Sequence, residues 1–108
     1  MRALLLAGVI LTACGPSAIP HATAGDVARA QARWPDSSEQ QLNQGRRAYL
    51  VHCGGCHSAV PPARFGASAW QGYVERMAGK AKLADPDKDL VIRYLQIAAR
   101  PDSAAEAH

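Results

Sequence analysis

The feature that most constrains this chain is the pentapeptide Cys-Gly-Gly-Cys-His at residues 53–57. Cys53 and Cys56 are two of only three cysteines in the sequence. A disulfide between them would close a very small loop, which restricts the unfolded chain little. A thioredoxin-like redox pair needs a βαβ context, and the sequence shows almost no strand pattern. A structural zinc site needs four protein ligands, and only His57 and His52 lie near the two thiols.

One chemistry uses every residue of this motif. Cys-x-x-Cys-His is the attachment signature of c-type haem, in which two thiols add to the vinyl groups of the porphyrin. The imidazole that follows the second cysteine then ligates the iron. We therefore predict one covalent haem c, attached through Cys53 and Cys56, with His57 as the proximal iron ligand. A non-haem metal or redox protein using these three residues is the alternative.

The N-terminus predicts export and a lipid anchor. An apolar run covers residues 3–11, which is too short to cross a bilayer, since that takes about 20 apolar residues. Such a run after Arg2 is typical of a signal-peptide core. Residues 11–14, Leu-Thr-Ala-Cys, resemble the lipobox of bacterial lipoproteins. The resemblance implies a signal peptide over 1–13, lipidation of Cys14 and a periplasmic position on the membrane.

The residue after the lipobox cysteine bears on which membrane holds the chain. Gly15 stands where an aspartate would indicate retention at the inner membrane, so the outer membrane is favoured. An ordinary secretory signal, with cleavage that happens to leave Cys14, is the alternative.

The charge of the chain excludes one class of partner. The formal net charge is +3 at neutral pH, and the basic residues are spread along the sequence. A nucleic-acid footprint needs basic residues clustered on one face. We therefore expect no nucleic-acid partner.

Composition and periodicity predict an all-α domain between two irregular ends. Residues 14–34 are predicted as a lipidated N-terminus and tether, because they begin with a stretch rich in proline, glycine and small residues. Residues 26–33 within that range could form two helical turns. The folded domain is predicted over 35–101, and residues 102–108 are predicted to be a flexible tail.

Capping residues predict three helices in the domain. The first begins at Ser37 or Ser38, with a glutamine three residues later. Leu42, Gly45 and Tyr49 lie on one face of this helix at helical spacing. Glycine inside a helix costs about 1 kcal/mol relative to alanine. A close crossing of two helices at Gly45 would explain why a glycine is present there.

The second and third helices follow the haem motif. The second opens at Ser68 and ends at Gly79, and its stripe consists of Trp70, Tyr73 or Val74, and Met77. The third begins with Asp85 as the cap and Pro86 at the first helical position. Its apolar face consists of Leu90, Val91, Tyr94, Leu95 and Ala98, with Pro101 beyond its end.

Together these features resemble the class I-like monohaem cytochromes c, in a compact form. Gly45 and Tyr49 stand eight and four residues before Cys53, as a glycine and an aromatic residue do in that family. Residues 92–95 resemble its C-terminal helix, which crosses the first helix at that glycine. The resemblance implies a small three-helix fold around one haem.

The resemblance also implies a function, which is one-electron transfer between redox partner proteins. Such a chain is a carrier, alone or as the cytochrome subunit of an oxidoreductase, and is not itself an enzyme. It would have no small-molecule substrate. Arg64, Lys80 or Lys82 could pair with the haem propionates.

Met77 is the candidate for the distal iron ligand. The other methionine and the other histidines are poorly placed: Met1 is in the signal, His21 in the tether, His52 beside Cys53 and His108 in the tail. A methionine on an apolar stripe is ordinarily a core residue, whereas the family resemblance implies ligation. With Met77 in the core instead, the chain would be an open-coordination haem protein that binds a diatomic gas or peroxide.

Overall fold

A computed structural model describes residues 18–54 and 59–102 of the chain. These residues form four α-helices and one short 3-10 helix. In chain order they are α1 (Ala24–Gln31), α2 (Glu39–Cys53), the 3-10 helix (Pro62–Arg64), α3 (Ala67–Ala78) and α4 (Asp85–Ala98). Within these ranges the extended pairing is limited to one isolated parallel bridge, between Gly66 and Arg100. The prediction of a small all-α fold is confirmed, with one helix more than the three expected.

The crossing of α2 and α4 organises the fold. Helix α2 begins as predicted, because the Ser38 hydroxyl accepts a hydrogen bond of 3.1 Å from the Gln41 amide. Gly45 is buried where α4 passes over it, and a Cβ atom added there would lie 2.2 Å from the Leu90 carbonyl oxygen. The predicted close crossing at this glycine is confirmed.

Helix α3 lies on α4 and ends where the sequence predicted. Gly79 follows its last residue, and Trp70 and Val74 are its buried side chains. Ser68 lies inside the first turn rather than at the cap, which is Gly66. The indole Nε1 of Trp70 donates to the Pro62 carbonyl at 2.8 Å, which ties the 3-10 helix to α3.

Helix α4 begins one position from the predicted cap. Ala84 is the N-cap and Asp85 is already helical, so Pro86 occupies the second helical position. Proline lacks an amide hydrogen and therefore suits the first turn of a helix. The buried residues of α4 are Val91, Tyr94, Leu95, Gln96 and Ile97.

Part of the range predicted as a tether is packed on the domain. Thr23 and Asp26 form a reciprocal capping box that starts α1. Ala22 and Ala30 are buried in one cluster with Leu42 and Ile97. The sequence pattern missed this contact because small alanine side chains produce no apolar stripe, although they allow two helices to approach closely.

The residues just before α1 form a segment that we call the N-terminal strap, residues 19–22. Arg46 Nε donates to the Ile19 carbonyl at 2.8 Å, and the Tyr94 hydroxyl donates to the Pro20 carbonyl at 2.5 Å. The Ala22 amide donates to the Asn43 side chain at 2.9 Å. These bonds hold the strap against α2 and α4.

The remaining predictions for the two ends of the chain concern residues that the structure does not describe. The signal peptide over 1–13, Cys14 and the tail from residue 103 onward lie outside the described residues. Among the helices that the structure describes, none has both the length and the apolar character required to cross a membrane.

Candidate cofactor site

An apolar cavity of about 470 Å³ opens between α2, α3 and the turn that leads into α4. Its apolar walls include Tyr49, Val60, Phe65, Trp70, Val74 and Ala81. Cavities that hold small molecules and cofactors usually measure about 300–1,000 Å³ and are mostly apolar. The volume and lining therefore suit a large apolar group.

Three large apolar side chains at this cavity are unusually open to solvent. Val51 is 73 % exposed, Met77 41 % and Tyr73 38 %, and all three line the cavity. A cluster of exposed apolar side chains marks a binding groove or an interface. A porphyrin seated in the cavity would cover them, so the described residues fit that group.

Cys53 brings the first half of the attachment motif to the cavity. It is the last residue of α2 and lines the cavity wall as a free, half-buried thiol. Burial raises the pKa of this thiol above its ordinary value. Cys56 and His57 lie in residues 55–58, outside the described residues, so their predicted roles stay predictions.

Aromatic rings make one wall of the cavity rigid. Trp70 packs edge-on against Tyr49 and Phe65, with ring centroids 6.0 and 5.3 Å apart. Phe65 and Tyr73 stack at 4.7 Å. The Tyr49 hydroxyl donates to the Val60 carbonyl at 2.6 Å, and burial above all raises the pKa of Tyr49 to about 12. This hydrogen bond holds the segment after the haem motif against α2.

Met77 faces the cavity instead of the core. Trp70 and Val74, which share its predicted stripe, are buried, whereas Met77 stays exposed near the end of α3. A thioether at the cavity wall can approach a bound iron, and the core interpretation of Met77 does not match its exposure. Its role as the distal ligand stays a prediction.

The cavity also has a basic rim. Lys80 and Lys82 line it, on the turn after α3. Arg64, the third predicted propionate partner, is exposed on the 3-10 helix and is not part of the lining. The two lysines are therefore the better placed partners for a carboxylate at the cavity.

His52 has a role that the sequence did not indicate. Its Nδ1 atom donates to the Ala81 carbonyl at 2.9 Å, since a carbonyl oxygen can only accept. The bond joins the end of α2 to the turn after α3. Val60 and Phe65 were also missed as wall residues, because they lie in irregular segments where periodicity gives no signal.

Comparisons with known proteins agree with this site. No curated protein and no solved structure matches the chain. A family model described as dihaem cytochrome c matches residues 49–108, which is more than half of the 108 residues. The match begins at Tyr49 and includes the haem motif, the cavity walls, α3 and α4. The chain therefore belongs to the dihaem cytochrome c family.

Proposed function

We propose that this chain is a one-electron carrier that holds one covalent haem c in the 470 Å³ cavity. Membership of the family indicates a covalent c-type haem and electron transfer. One observation carries the rest of the proposal. Cys53 on α2 and Met77 on α3 line the same apolar cavity from two different helices.

The proposal gives each site residue a role. Cys53 and Cys56 hold the haem covalently, and His57 and Met77 ligate its iron. The haem supplies a single site that gains and loses one electron. Thioether ligation raises the reduction potential relative to two imidazoles. With the haem bound, the apolar walls would shield it from water, and we expect no small-molecule substrate.

We also propose one haem per chain, although the family description names two. The sequence contains a single Cys-x-x-Cys-His motif, and Cys14 is its only other cysteine. The test measures the number of haems per chain, from a pyridine haemochrome assay and the protein concentration. The intact mass after acid-acetone extraction shows whether the haem is covalently bound. One haem per chain that survives extraction is expected. Two haems per chain, or a colourless protein, would contradict the proposal.

The distal ligand decides between electron transfer and the open-coordination alternative. With Met77 as the ligand, ferric protein shows a near-infrared sulfur-to-iron band, and Met77→Leu removes it. The ferrous wild type then binds carbon monoxide weakly, and the variant binds it readily. Val51→Ala, which changes an exposed wall residue without a ligand atom, is the control and should keep the band. Ready binding of carbon monoxide by the wild type would favour the alternative.

We place the carrier on the periplasmic side of the cell envelope, anchored through lipid on Cys14. The lipobox-like residues 11–14 and the export chemistry of c-type haem support this location. Its donors and acceptors would then be redox proteins of that compartment. Cys14→Ser should move the protein from the membrane fraction to the soluble fraction. Equal membrane association of both proteins would show that Cys14 is not the anchor.

A further inference from the structure

Two hydrogen bonds connect the end of α2 that carries Cys53 with the end of α3 that carries Met77. The Ala81 amide donates to the Met77 carbonyl at 2.9 Å. The Ala81 carbonyl in turn accepts from His52 Nδ1 at 2.9 Å. Because His52 directly precedes Cys53, the haem attachment point and the candidate iron ligand are linked through one alanine.

The turn that His52 contacts also has backbone hydrogen bonds of its own, including one of 3.4 Å from the Lys82 amide to the Gly79 carbonyl. It covers residues 79–82 between α3 and α4. The Leu83 amide donates to the Ala78 carbonyl at 2.9 Å, and Leu83 is buried, which fixes the far end of the turn. Lys82 adopts a positive φ of 54°, a conformation that side chains with a Cβ atom disfavour. The hydrogen bond from His52 adds to these local backbone bonds a side-chain contact from another helix.

The hydrogen bond from His52 to Ala81 lies at the wall of the cavity. His52, Met77, Lys80, Ala81 and Lys82 all line the cavity. Through its hydrogen bond to Ala81, the His52 imidazole joins α2 to the turn at the cavity wall. Without this hydrogen bond the turn could move outward, and the end of α3 with the Met77 side chain would follow it.

We propose that His52 is a positioning residue that holds the turn 79–82, and through it Met77, against the haem site. The proposal rests on the proposed function, because it assigns Met77 to the iron. We do not assign His52 to the iron, because it stands directly before Cys53 and the iron is assigned to His57 and Met77. Its contribution is to keep the distal ligand in place.

The test compares substitutions of similar shape at position 52 in the mature, haem-loaded protein. Asparagine can place an amide donor where the imidazole Nδ1 lies, and leucine has the same branching without a donor. Loss of one such hydrogen bond should shift the opening of the turn about five- to tenfold. His52→Leu should raise the affinity of the ferrous protein for carbon monoxide by that factor and weaken the near-infrared band. His52→Asn should match the wild type.

A second measurement follows the turn without involving the iron. Trypsin cleaves after Lys80 and Lys82, which are exposed, and also after Arg29 in α1, far along the chain. Cleavage of a transiently opened segment follows the population of the open state. His52→Leu should accelerate cleavage in the turn about five- to tenfold and leave cleavage after Arg29 unchanged. His52→Gln, which carries its donor further from the backbone, is the milder variant if leucine prevents haem loading.

Two results would overturn the proposal. One is equal behaviour of the leucine and asparagine variants in carbon monoxide binding and in cleavage of the turn. The other is acceleration after Arg29 to the same extent as in the turn, which would indicate general destabilisation. Failure of the proposed function has a different signature: a colourless protein, or a sulfur-to-iron band that Met77→Leu leaves unchanged. The second of these outcomes leaves the trypsin comparison valid, because cleavage of the turn does not involve the iron.

Discussion

Gly45 shows how one missing side chain determines the approach of two helices. The nearest atoms to an added Cβ are the Leu90 carbonyl oxygen and carbon, at 2.2 and 2.8 Å, and both belong to the backbone of α4. A backbone cannot rotate out of the way as a side chain can. The helices would have to separate, and the contacts of Tyr94 and Val91 would be disturbed.

Gly45→Ala should therefore destabilise the haem-loaded protein by about 3 kcal/mol, at the upper end of the usual cost of overpacking. The better helix propensity of alanine, about 1 kcal/mol, does not offset this. Gly25→Ala in α1 is the matched control, because its added Cβ would meet its nearest atom at an ordinary 3.7 Å. The control should be neutral or slightly stabilising in denaturant unfolding. Equal stability of the two variants would contradict the close crossing.

The two buried tyrosines give the protein a particular dependence on alkaline pH. Burial, as the largest cause, raises the pKa of both Tyr49 and Tyr94 to about 12. In the unfolded chain a phenol ionises near pH 10. The folded state therefore holds these protons more tightly, so their contribution to stability is complete below pH 10 and is lost as the pH rises to about 12.

Unfolding free energies measured from pH 8 to 12 test this sign. The wild type should lose stability more steeply above pH 10 than a Tyr49→Phe/Tyr94→Phe double variant. Below pH 10 the double variant should be less stable by about 1 kcal/mol per lost hydrogen bond, since each hydroxyl donates to a backbone carbonyl. Parallel curves above pH 10 would exclude the tyrosines as the cause.

At the scale of helices, the sequence predicted most where local chemistry determines the outcome. Ser38 caps α2, Gly79 follows α3, and α4 begins within one residue of its predicted start, because caps and breakers act over a few neighbouring residues. Periodicity left both a core position and a cavity-facing position open for Met77, and the structure places it at the cavity wall. Contacts between distant segments were not predictable in the same way.

The missed features share a physical reason. The bond from His52 to Ala81 uses a backbone carbonyl, and every residue of the turn offers one, so sequence cannot single it out. Likewise, the burial of Ala22 and Ala30 depends on how closely the N-terminal strap and α1 approach α2 and α4. Alanine occurs both on surfaces and in cores, so its pattern does not distinguish a packed helix from a tether.

Two alanines of α1 test whether this helix belongs to the folded domain. Ala30 is fully buried, whereas Ala28 on the same helix is exposed. Ala30→Gln places a larger, polar side chain in a closed space and should cost about 2 kcal/mol. Ala28→Gln should change stability by less than about 0.5 kcal/mol. Equal unfolding midpoints in denaturant would mean that α1 is not part of the cooperative unit.

For the whole molecule, the main expectation concerns loss of the cofactor. Val51, Tyr73 and Met77 are exposed at the cavity that the haem would cover. Covering them should stabilise the fold by about 3 kcal/mol, at roughly 1 kcal/mol for each partly covered side chain. In a domain of this size, that corresponds to a melting temperature roughly 12–24 °C higher.

A Cys53→Ala/Cys56→Ala double variant, which cannot attach haem covalently, should therefore melt at a much lower temperature than the haem-loaded wild type. It should also bind a hydrophobic dye such as ANS, because the apolar walls are uncovered. Circular dichroism during heating and dye fluorescence provide the measurements. A cooperative transition at the wild-type temperature would show that the cavity does not depend on its cofactor for stability.

The pairing of Gly66 with Arg100 has a consequence for how the chain opens. The Ala67 amide donates to the Arg100 carbonyl at 3.1 Å, and the Arg100 amide donates to the Phe65 carbonyl at 3.2 Å. Segments near chain ends usually fray independently of the core. Here the backbone beyond α4 is fastened to the beginning of α3, so the amide hydrogen of Arg100 should exchange with deuterated solvent as slowly as the amides of α3 itself.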